Sequence, residues 1–582
     1  MDITYKKINN ANLFKDFEDE KLLNMETCQN YVPLYNNFFT LNENNYNSIN
    51  LNSENNLHSL IKKMTENIFL GKIQDENNNI VEKQVFFKLC PLLDPFKYLA
   101  GKYDICNNNL LNLPKLNSDD CHFKVNDINN ASYVDSFFTY LTSQLYNRMN
   151  FYHGVDFYGS YLGCKQNLHI DIGDDIDMLI DSDFFHNNTN KLYTFINSDH
   201  EDLFNEDTRS NKKRLNLDET TDPNDTGENI ILNLDDIESL GPKKSLDDIE
   251  SFDSMNTEPG IEVVDISSTE LDNVKIAGIS DSKMHNRTNS TNSDYSSRSS
   301  NTQNSEDSNS NSDNNSNSDS DSDSDSNSNS DESSNVESVM VSLNRFPIQI
   351  IALENCTNTL DHLFIKDKLS QEELGSVVIQ ILMMLITYQN LFNLTHNDLH
   401  TNNIMYVETE KTYLYYKVNN KHYKVKTFGK IYKIIDFGRA IYQYKNKVIC
   451  SDSFHKEGDA TTQYNCEPYY NKDKPRLEPN YSFDLCRLGC SIYDFITEKY
   501  ETLEDIHWPI HKIIMRWCDD DDGRNILYKN NGEERYPDFK LYKMIARKVH
   551  NHVPINELNH KFFNRYIVPK KEIKKGSKIW NI

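Results

Sequence analysis

Alternating hydrophobic and polar positions predict several strands in the chain. Residues 67–73 and 83–89 both alternate in this way, and the polar run 75–79 between them predicts a turn. A further strand is predicted at 155–163. The apolar run at 346–355 predicts a buried strand that continues into a polar link. A long polar stretch separates this last strand from the others.

Helical periodicity appears in two places. In residues 133–149 the apolar side chains recur at three- and four-residue intervals, which predicts an amphipathic helix. A second helix is predicted to begin at Ser370, because Ser370 and Glu373 have the spacing of a capping box. Its broad apolar side favours burial. Farther along, Asn419 and Asn420 lie between two strand-like runs and predict a hairpin with a positive-φ turn.

Charge is concentrated in one part of the chain. The formal net charge of the 582 residues is −28, and residues 201–340 alone contribute −23. This stretch is rich in Ser, Asn and Asp, and such a composition buries too little apolar surface to offset backbone entropy, so we expect it to be disordered. The remainder is almost balanced in charge. No basic face of the kind that nucleic acid favours is indicated.

The cysteines and the apolar runs bear on the compartment. The eleven cysteines contain no C-x-x-C pair, which favours reduced thiols in the cytoplasm. Cys486 and Cys490 lie four residues apart, and we expect buried structural thiols there rather than a metal site. No apolar signal core is found at the N-terminus, and no apolar run was expected to approach membrane-spanning length. The sequence therefore predicts no membrane partner.

The candidate chemistry lies in residues 395–405. Asp398 is followed five residues later by Asn403, and a hydrophobic run farther on ends in the motif D-F-G, which begins at Asp436. Phosphoryl transfer needs a carboxylate that orients a hydroxyl and accepts its proton. It also needs oxygen ligands that hold Mg²⁺ on the phosphates. These three residues supply both kinds of group.

The order of these motifs resembles that of the eukaryotic-type Ser/Thr protein kinases, in a divergent form like those encoded by large DNA viruses. The resemblance is strong over 345–500 and weaker over 60–165. It implies an α+β, two-lobed fold with a small β-rich lobe, a large helical lobe and ATP between them. It also implies that Asp398 is the base and that Asn403 and Asp436 bind Mg²⁺.

The same resemblance implies further roles. Lys88 follows a β-like run and would hold the phosphates, with Lys83 and Lys97 as rivals for that role. Glu354 lies where kinases hinge and hold adenine. His400 occupies a catalytic position that is usually Lys, and histidine is only partly charged at neutral pH.

Asp484 and Gly489 keep the spacing of a later family motif, whose Asp braces the catalytic loop.

The sequence departs from the family in three places. It has no G-x-G-x-x-G loop to cover the phosphates, so this cover is either unusual or missing. The predicted helix at 133–149 lacks the Glu that pairs with the strand lysine, and Asp135 or Gln144 could replace it. Asn397 stands where most protein kinases have an Arg that receives an activation-segment phosphate, and Arg439 is the nearest alternative in sequence.

These features predict four regions: an N-terminal extension 1–55, a kinase small lobe 56–185, a disordered insert 186–340, and the end of the small lobe, the hinge and the large lobe in 341–582. We expect a Ser/Thr protein kinase that uses ATP and Mg²⁺, acts on a protein substrate and is cytoplasmic (in the host cytoplasm or the virion if viral). An acidic hexapeptide repeated within the insert is a candidate docking motif. Two alternatives stay open: a small-molecule phosphotransferase similar to aminoglycoside and choline kinases, and a pseudokinase scaffold.

Overall fold

Strands from residues 25–195 and from residues 340–354 form the largest sheet, and the longer helices of the C-terminal half pack together. The structure is a computed structural model that describes residues 2–196 and 339–582, apart from 174, 175, 177, 178, 180, 181 and 501. The fold is mixed α+β, with a β-rich N-terminal part and a helical C-terminal part. Most of the predicted insert 186–340, including its acidic hexapeptides, lies outside the described residues.

Strands of two to fifteen residues make up the sheets. In chain order they are β1 Tyr5–Lys7, β2 Met25–Gln29, β3 Ile49–Leu51, β4 Asn56–Lys63, β5 Ile68–Gln74, β6 Ile80–Pro91, β7 Phe157–Asp171, β8 Tyr193–Phe195, β9 Met340–Glu354, β10 Asn358–Thr359, β11 Ile404–Glu408, β12 Tyr413–Val418, β13 Lys421–Lys426, β14 Lys430–Ile434, β15 Ile441–Tyr444, β16 Lys447–Cys450, β17 Ile567–Val568 and β18 Trp580–Asn581.

The α-helices are also numbered in chain order. In the described residues they are α1 Ala11–Glu18, α2 Pro95–Leu99, α3 Phe123–Asn126, α4 Ala131–Met149, α5 Asp183–Asn187, α6 Leu360–Ile365, α7 Gln371–Phe392, α8 Phe483–Thr497, α9 Pro509–Arg516, α10 Lys540–Lys548 and α11 Pro554–Glu557.

The main sheet has the strand order β2-β7-β9-β6-β5-β4, with β8 also paired to β9. The four strands predicted at 67–73, 83–89, 155–163 and 346–355 are all present, as β5, β6, β7 and β9. Strand β6 lies between β5 and β9, and its Lys88 is opposite Ile351. Because side chains alternate along a strand, Phe87 and Lys88 face opposite sides of the sheet. This alternation gives the sheet one apolar face and one face that carries the lysine.

Residues 1–55, predicted as an N-terminal extension, belong to the sheet and its cover. Strand β2 pairs with β7 and forms one edge of the main sheet. Helix α1 packs on the apolar face, where the ring of Phe17 lies 6.0 Å from that of Phe87 and 5.3 Å from that of Tyr161. The Asp16 carboxylate accepts a hydrogen bond from the Leu60 N–H at 2.9 Å. The N-terminal extension is thus packed on the sheet.

Helix α7 forms the core of the C-terminal part. It begins at the predicted capping box of Ser370 and Glu373, which is confirmed. Within the described residues, α7 is the one helix that is long and apolar enough to cross a membrane, judged by length and composition alone. The expectation that no apolar run approaches membrane-spanning length was therefore wrong. Its most apolar window is 89% buried inside the protein, as in a core helix.

The hairpin predicted around Asn419 and Asn420 is confirmed. Strands β12 and β13 pair antiparallel, and both Asn residues have positive φ, 46° and 61°. The hairpin joins β17 and β18, from the C-terminal end of the chain, in a separate sheet. The burial predicted for Cys486 and Cys490 is also confirmed, at 0% and 7% exposure.

Candidate functional site

A buried lysine and two carboxylates form the centre of the site. The Lys88 Nζ lies 2.7 Å from Asp135 Oδ2 and 2.8 Å from Asp436 Oδ1. The other oxygen of Asp135 accepts a hydrogen bond from the Phe437 N–H at 2.8 Å. Burial opposes the charge on Lys88, but these two carboxylates hold its pKa well above its ordinary value. Strand β6, helix α4 and the D-F-G motif are thereby joined at one point.

Helix α4 places Asp135 rather than Gln144 beside this lysine. The helix begins after Asn130, whose side chain accepts from the Ser132 N–H, so Asp135 lies in its second turn. Gln144 lies about two and a half turns farther along, and its buried side-chain amide makes no hydrogen bond within the described residues. Of the rival lysines, Lys83 is exposed on β6, whereas Lys97 lines the cavity described below.

The loop at 395–403 places Asp398 near two arginines and a tyrosine. The Tyr542 hydroxyl donates to Asp398 Oδ1 at 2.8 Å, and Arg439 Nη1 lies 3.6 Å from Asp398 Oδ2. Burial by itself would raise the pKa of Asp398, but the charges of Arg439 and Arg487 hold it well below its ordinary range. Asp398 is therefore a carboxylate at neutral pH.

Asn403 and Ile435, the residue before Asp436, are hydrogen-bonded to each other at the ends of paired strands. Strand β11 begins directly after Asn403 and β14 ends just before Ile435, and the Ile435 N–H donates to the Asn403 carbonyl at 3.0 Å. The Asn403 side-chain NH₂ donates to the Asp398 carbonyl at 2.9 Å, which leaves its amide oxygen as the group with metal-ligand chemistry. A carboxylate and an amide oxygen are suitable Mg²⁺ ligands alongside phosphates.

His400 is neutral at physiological pH. Burial lowers its pKa from 6.5 to about 4, and its Nε2 lies 3.1 Å from Asn403 Nδ2, from which it accepts a hydrogen bond. The sequence had predicted a partly charged histidine. In the structure it contributes no positive charge to the site.

Asp484 fixes the loop at 395–403. Its two carboxylate oxygens accept from the His396 and Asn397 N–H groups, both at 2.9 Å. The His396 Nε2 lies 2.9 Å from the Ile435 carbonyl. These bonds connect α8, the loop at 395–403 and the strand that leads to Asp436.

The side chain of Glu354 forms structural contacts within the protein. Its carboxylate pairs with the buried Lys433 and also accepts from the Asp156 N–H at 2.8 Å. Lys433 in turn donates to the Gly154 carbonyl at 2.8 Å. The contacts above connect five of the residues selected from the sequence: Lys88, Asp398, His400, Asn403 and Asp436. The side chain of Glu354 is instead turned to Lys433.

The segment after D-F-G is held by its own carboxylates, which the sequence did not reveal. Arg439 is 2% exposed and donates to Asp459 from Nε at 3.2 Å and from Nη2 at 2.7 Å. Asp452 pairs with Lys124 and accepts from the Ala131 N–H at 3.0 Å, which places it at the start of α4. No spacing rule connects these residues, so only the folded chain reveals them.

A cavity opens beside the lysine centre. Its interior volume is about 70 Å³. Its walls include Lys88, Asp135 and Asp436 together with Lys97 and Asp459. No group of three or more His, Cys, Asp or Glu side chains in the described residues could hold a metal by itself.

No protein-family model and no curated protein matches this sequence. The interpretation of the site therefore depends on its own geometry.

Proposed function

We propose that the protein is an ATP-dependent phosphotransferase with a two-lobed, protein-kinase-like fold. One observation carries the proposal: Lys88 contacts both Asp135 and Asp436 within 3 Å. A lysine between a helix carboxylate and the D-F-G aspartate is the arrangement that kinases use to hold nucleotide phosphates. An Asp in place of the usual Glu still reaches the lysine, which supports an intact site.

The proton acceptor in this proposal is Asp398. The hydroxyl oxygen of the substrate attacks the γ-phosphorus, the bond from that phosphorus to the bridging oxygen breaks, and ADP leaves. The hydroxyl proton passes to Asp398. The depressed pKa of Asp398 keeps it ionised over the physiological range, so its carboxylate can orient the substrate hydroxyl by accepting a hydrogen bond from it.

Asn403 and Asp436 would hold Mg²⁺, which neutralises charge on the phosphates when it is bound. The Ile435 N–H donates to the Asn403 carbonyl, which holds the residue before Asp436 against Asn403 and supports this assignment. His400 then acts as a neutral group that positions Asn403, because its Nε2 accepts from the Asn403 amide.

We infer Ser/Thr side chains of proteins as the substrates. The motivation is the length of chain between D-F-G and α8, residues 439–482, which is available to bind a peptide. Three experiments on one preparation separate the candidates. Purified protein is incubated with γ-labelled ATP and Mg²⁺ and then with generic proteins, with small amino alcohols, or with neither.

Label on protein Ser or Thr supports the proposal. Label only on the amino alcohols would replace it with the small-molecule phosphotransferase. No transfer to either class, with ATP bound, would leave the pseudokinase scaffold and overturn the proposal.

A further inference from the structure

The small sheet β17-β13-β12-β18 joins two segments that are far apart in the chain. The β12–β13 hairpin, residues 413–426, contains four lysines and no acidic residue, and residues 567–582 contain five lysines and one glutamate. The fold therefore gathers a net charge of +8 in one sheet, although the net charge of the chain is −28. The sequence indicated no basic face because each segment is short. Salt confines the field of exposed charges to about 10 Å, so a ligand at this sheet meets the local charge.

The hairpin has one buried face and one outward face. Leu414, Tyr416 and Val425 are buried, and the Tyr416 hydroxyl lies 2.6 Å from Nε2 of the buried His153. Because side chains alternate along a strand, the residues between these point outward. The strand register places the outward residues opposite one another as Tyr413 with Lys426, Tyr415 with Lys424, and Lys417 with His422. The outward face thus combines aromatic rings and cations in neighbouring positions.

The rings and the lysines of this face are accessible. Tyr413 is 38% exposed, and its ring centre lies 6.5 Å from that of the half-buried Tyr415. The Nζ of Lys424 lies over the Tyr413 ring, 4.3 Å from its centre. Among the described residues, none of the four hairpin lysines forms an ion pair with a carboxylate. Their charge is therefore available to an anionic ligand.

The combination of rings and lysines selects among anionic ligands. Single-stranded nucleic acid has a charged backbone and unpaired bases, and proteins bind it by stacking the bases on exposed aromatic rings beside cations. Binding to a lipid surface relies on apolar side chains that enter the membrane. The outward positions of the hairpin carry no large aliphatic side chain. The face therefore matches unpaired bases and phosphates better than it matches lipid headgroups.

We propose that the outward face of β12 and β13 binds single-stranded nucleic acid, with bases stacked on Tyr413 and Tyr415. The outward lysines that would hold the phosphates are Lys417, Lys424 and Lys426. The lysines between β17 and β18 are all exposed and extend the positive surface next to the hairpin. This face shares no residue with the site around Lys88, so the inference does not depend on the proposed function.

The first test measures the contribution of the rings. Binding of labelled oligouridine and oligothymidine, each about 12 nucleotides long, to the full chain is followed by fluorescence anisotropy, with a duplex of equal length as the comparison. Replacing Tyr413 and Tyr415 together by Leu should weaken single-strand binding at least about tenfold, because stacking is lost. Replacing both by Phe keeps the rings, so affinity should stay within about threefold of wild type. The duplex, whose bases are already paired, should bind more weakly than the single strands.

The second test measures the contribution of the charges. For single strands, the slope of log affinity against log salt is about 0.7 for each phosphate that a cation neutralises. The double variant Lys417→Gln/Lys424→Gln should therefore make the slope shallower by about 1.4. The matched control is Lys62→Gln/Lys72→Gln, two lysines on the paired strands β4 and β5 of the main sheet, and its slope should equal that of wild type.

A third measurement uses the unmodified protein and does not depend on a variant folding. An oligonucleotide that contains 4-thiouridine is photo-cross-linked to the full chain, and the linked peptides are identified by mass spectrometry. Links within 413–426 and 567–582 are expected. Links confined to other segments, a duplex that binds as tightly as the single strands, or a Leu double variant that binds like wild type would overturn the proposal. Vesicles of anionic phospholipid that bind the protein when neither oligonucleotide does would overturn it as well, as would binding of neither.

Discussion

Asp459→Asn tests whether the segment after D-F-G is held by its own charges. The substitution keeps the shape of the side chain and one acceptor oxygen, and it removes the charge that faces Arg439. At the 2.7 Å between Arg439 Nη2 and Asp459 Oδ2, the attraction is about 6 kcal/mol at an effective dielectric constant near 20, before desolvation is subtracted. Loss of one partner of a buried pair costs roughly 3–5 kcal/mol in other proteins.

Two features of the structure reduce the loss of stability expected for Asp459→Asn. Asp398 still faces Arg439 from 3.6 Å, and the Asp459 side chain is 18% exposed. We therefore expect the free energy of unfolding to fall by about 2 kcal/mol, measured by urea denaturation. The matched control is Asp473→Asn, an exposed acid in the same segment, which should stay within about 0.5 kcal/mol.

The same contacts bear on regulation. Arg439 already has two carboxylate neighbours, so a phosphate is not needed to balance its charge, and Asn397 provides no cation. We expect phosphatase-treated protein to transfer phosphate to peptide at a rate within a few-fold of untreated protein. Ser451 and Ser453 are buried, which leaves Thr461 and Thr462 as the candidate sites in this stretch.

The corresponding double alanine variant at Thr461 and Thr462 should also keep its rate. Two results would refute the reasoning: a stability change in Asp459→Asn no larger than in the control, or a hundredfold loss of rate on dephosphorylation that an upstream kinase restores.

Two further predictions concern stability. Burial, together with the nearby charge of Lys433, lowers the pKa of His153 from 6.5 to about 4. The hydrogen bond to the Tyr432 carbonyl acts in the opposite direction but is outweighed. The folded protein then binds fewer protons than the unfolded chain between these pH values, so about 3 kcal/mol of stability present above pH 6.5 is lost as the pH falls to 4. Denaturation across that range should show a shallower slope for His153→Gln, and an unchanged slope would contradict the assignment. Separately, Ile196 N donates to the Met340 carbonyl at 3.0 Å, so replacing residues 201–335 with a short Gly/Ser linker should leave the melting temperature nearly unchanged. Loss of soluble protein would count against it.

The sequence predicted what local spacing determines. Strand alternation located β6 and thus Lys88, helical periodicity located α4, and the interval between Asp398 and Asn403 located the loop that contains both residues. Each of these signals lies within a short window, where side-chain direction follows from backbone geometry. The choice of Asp135 over Gln144 needed the packing of α4 on the sheet.

Contacts between distant segments could not be predicted in this way. The partner of the Asp398 carboxylate, Tyr542, lies 144 residues later in the chain, and no periodicity connects the two. In sequence, helix α1 is a short run of mixed polar and apolar residues with no distinctive pattern. Its position is set by Phe17, which packs on Phe87 and Tyr161 of distant strands. The neutral state of His400 follows from burial, which spacing alone does not reveal.

The central claim is that Asp398 accepts the proton in phosphoryl transfer, and Asp398→Asn tests it most directly. The measurement is the single-turnover rate of transfer from γ-labelled ATP, with Mg-ATP affinity determined on the same preparation. We predict a rate loss of roughly a hundredfold to ten-thousandfold with ATP affinity within about threefold of wild type, whereas Asp436→Ala should also weaken Mg²⁺-dependent ATP binding. An Asp398→Asn protein that transfers phosphate at the wild-type rate would contradict the account.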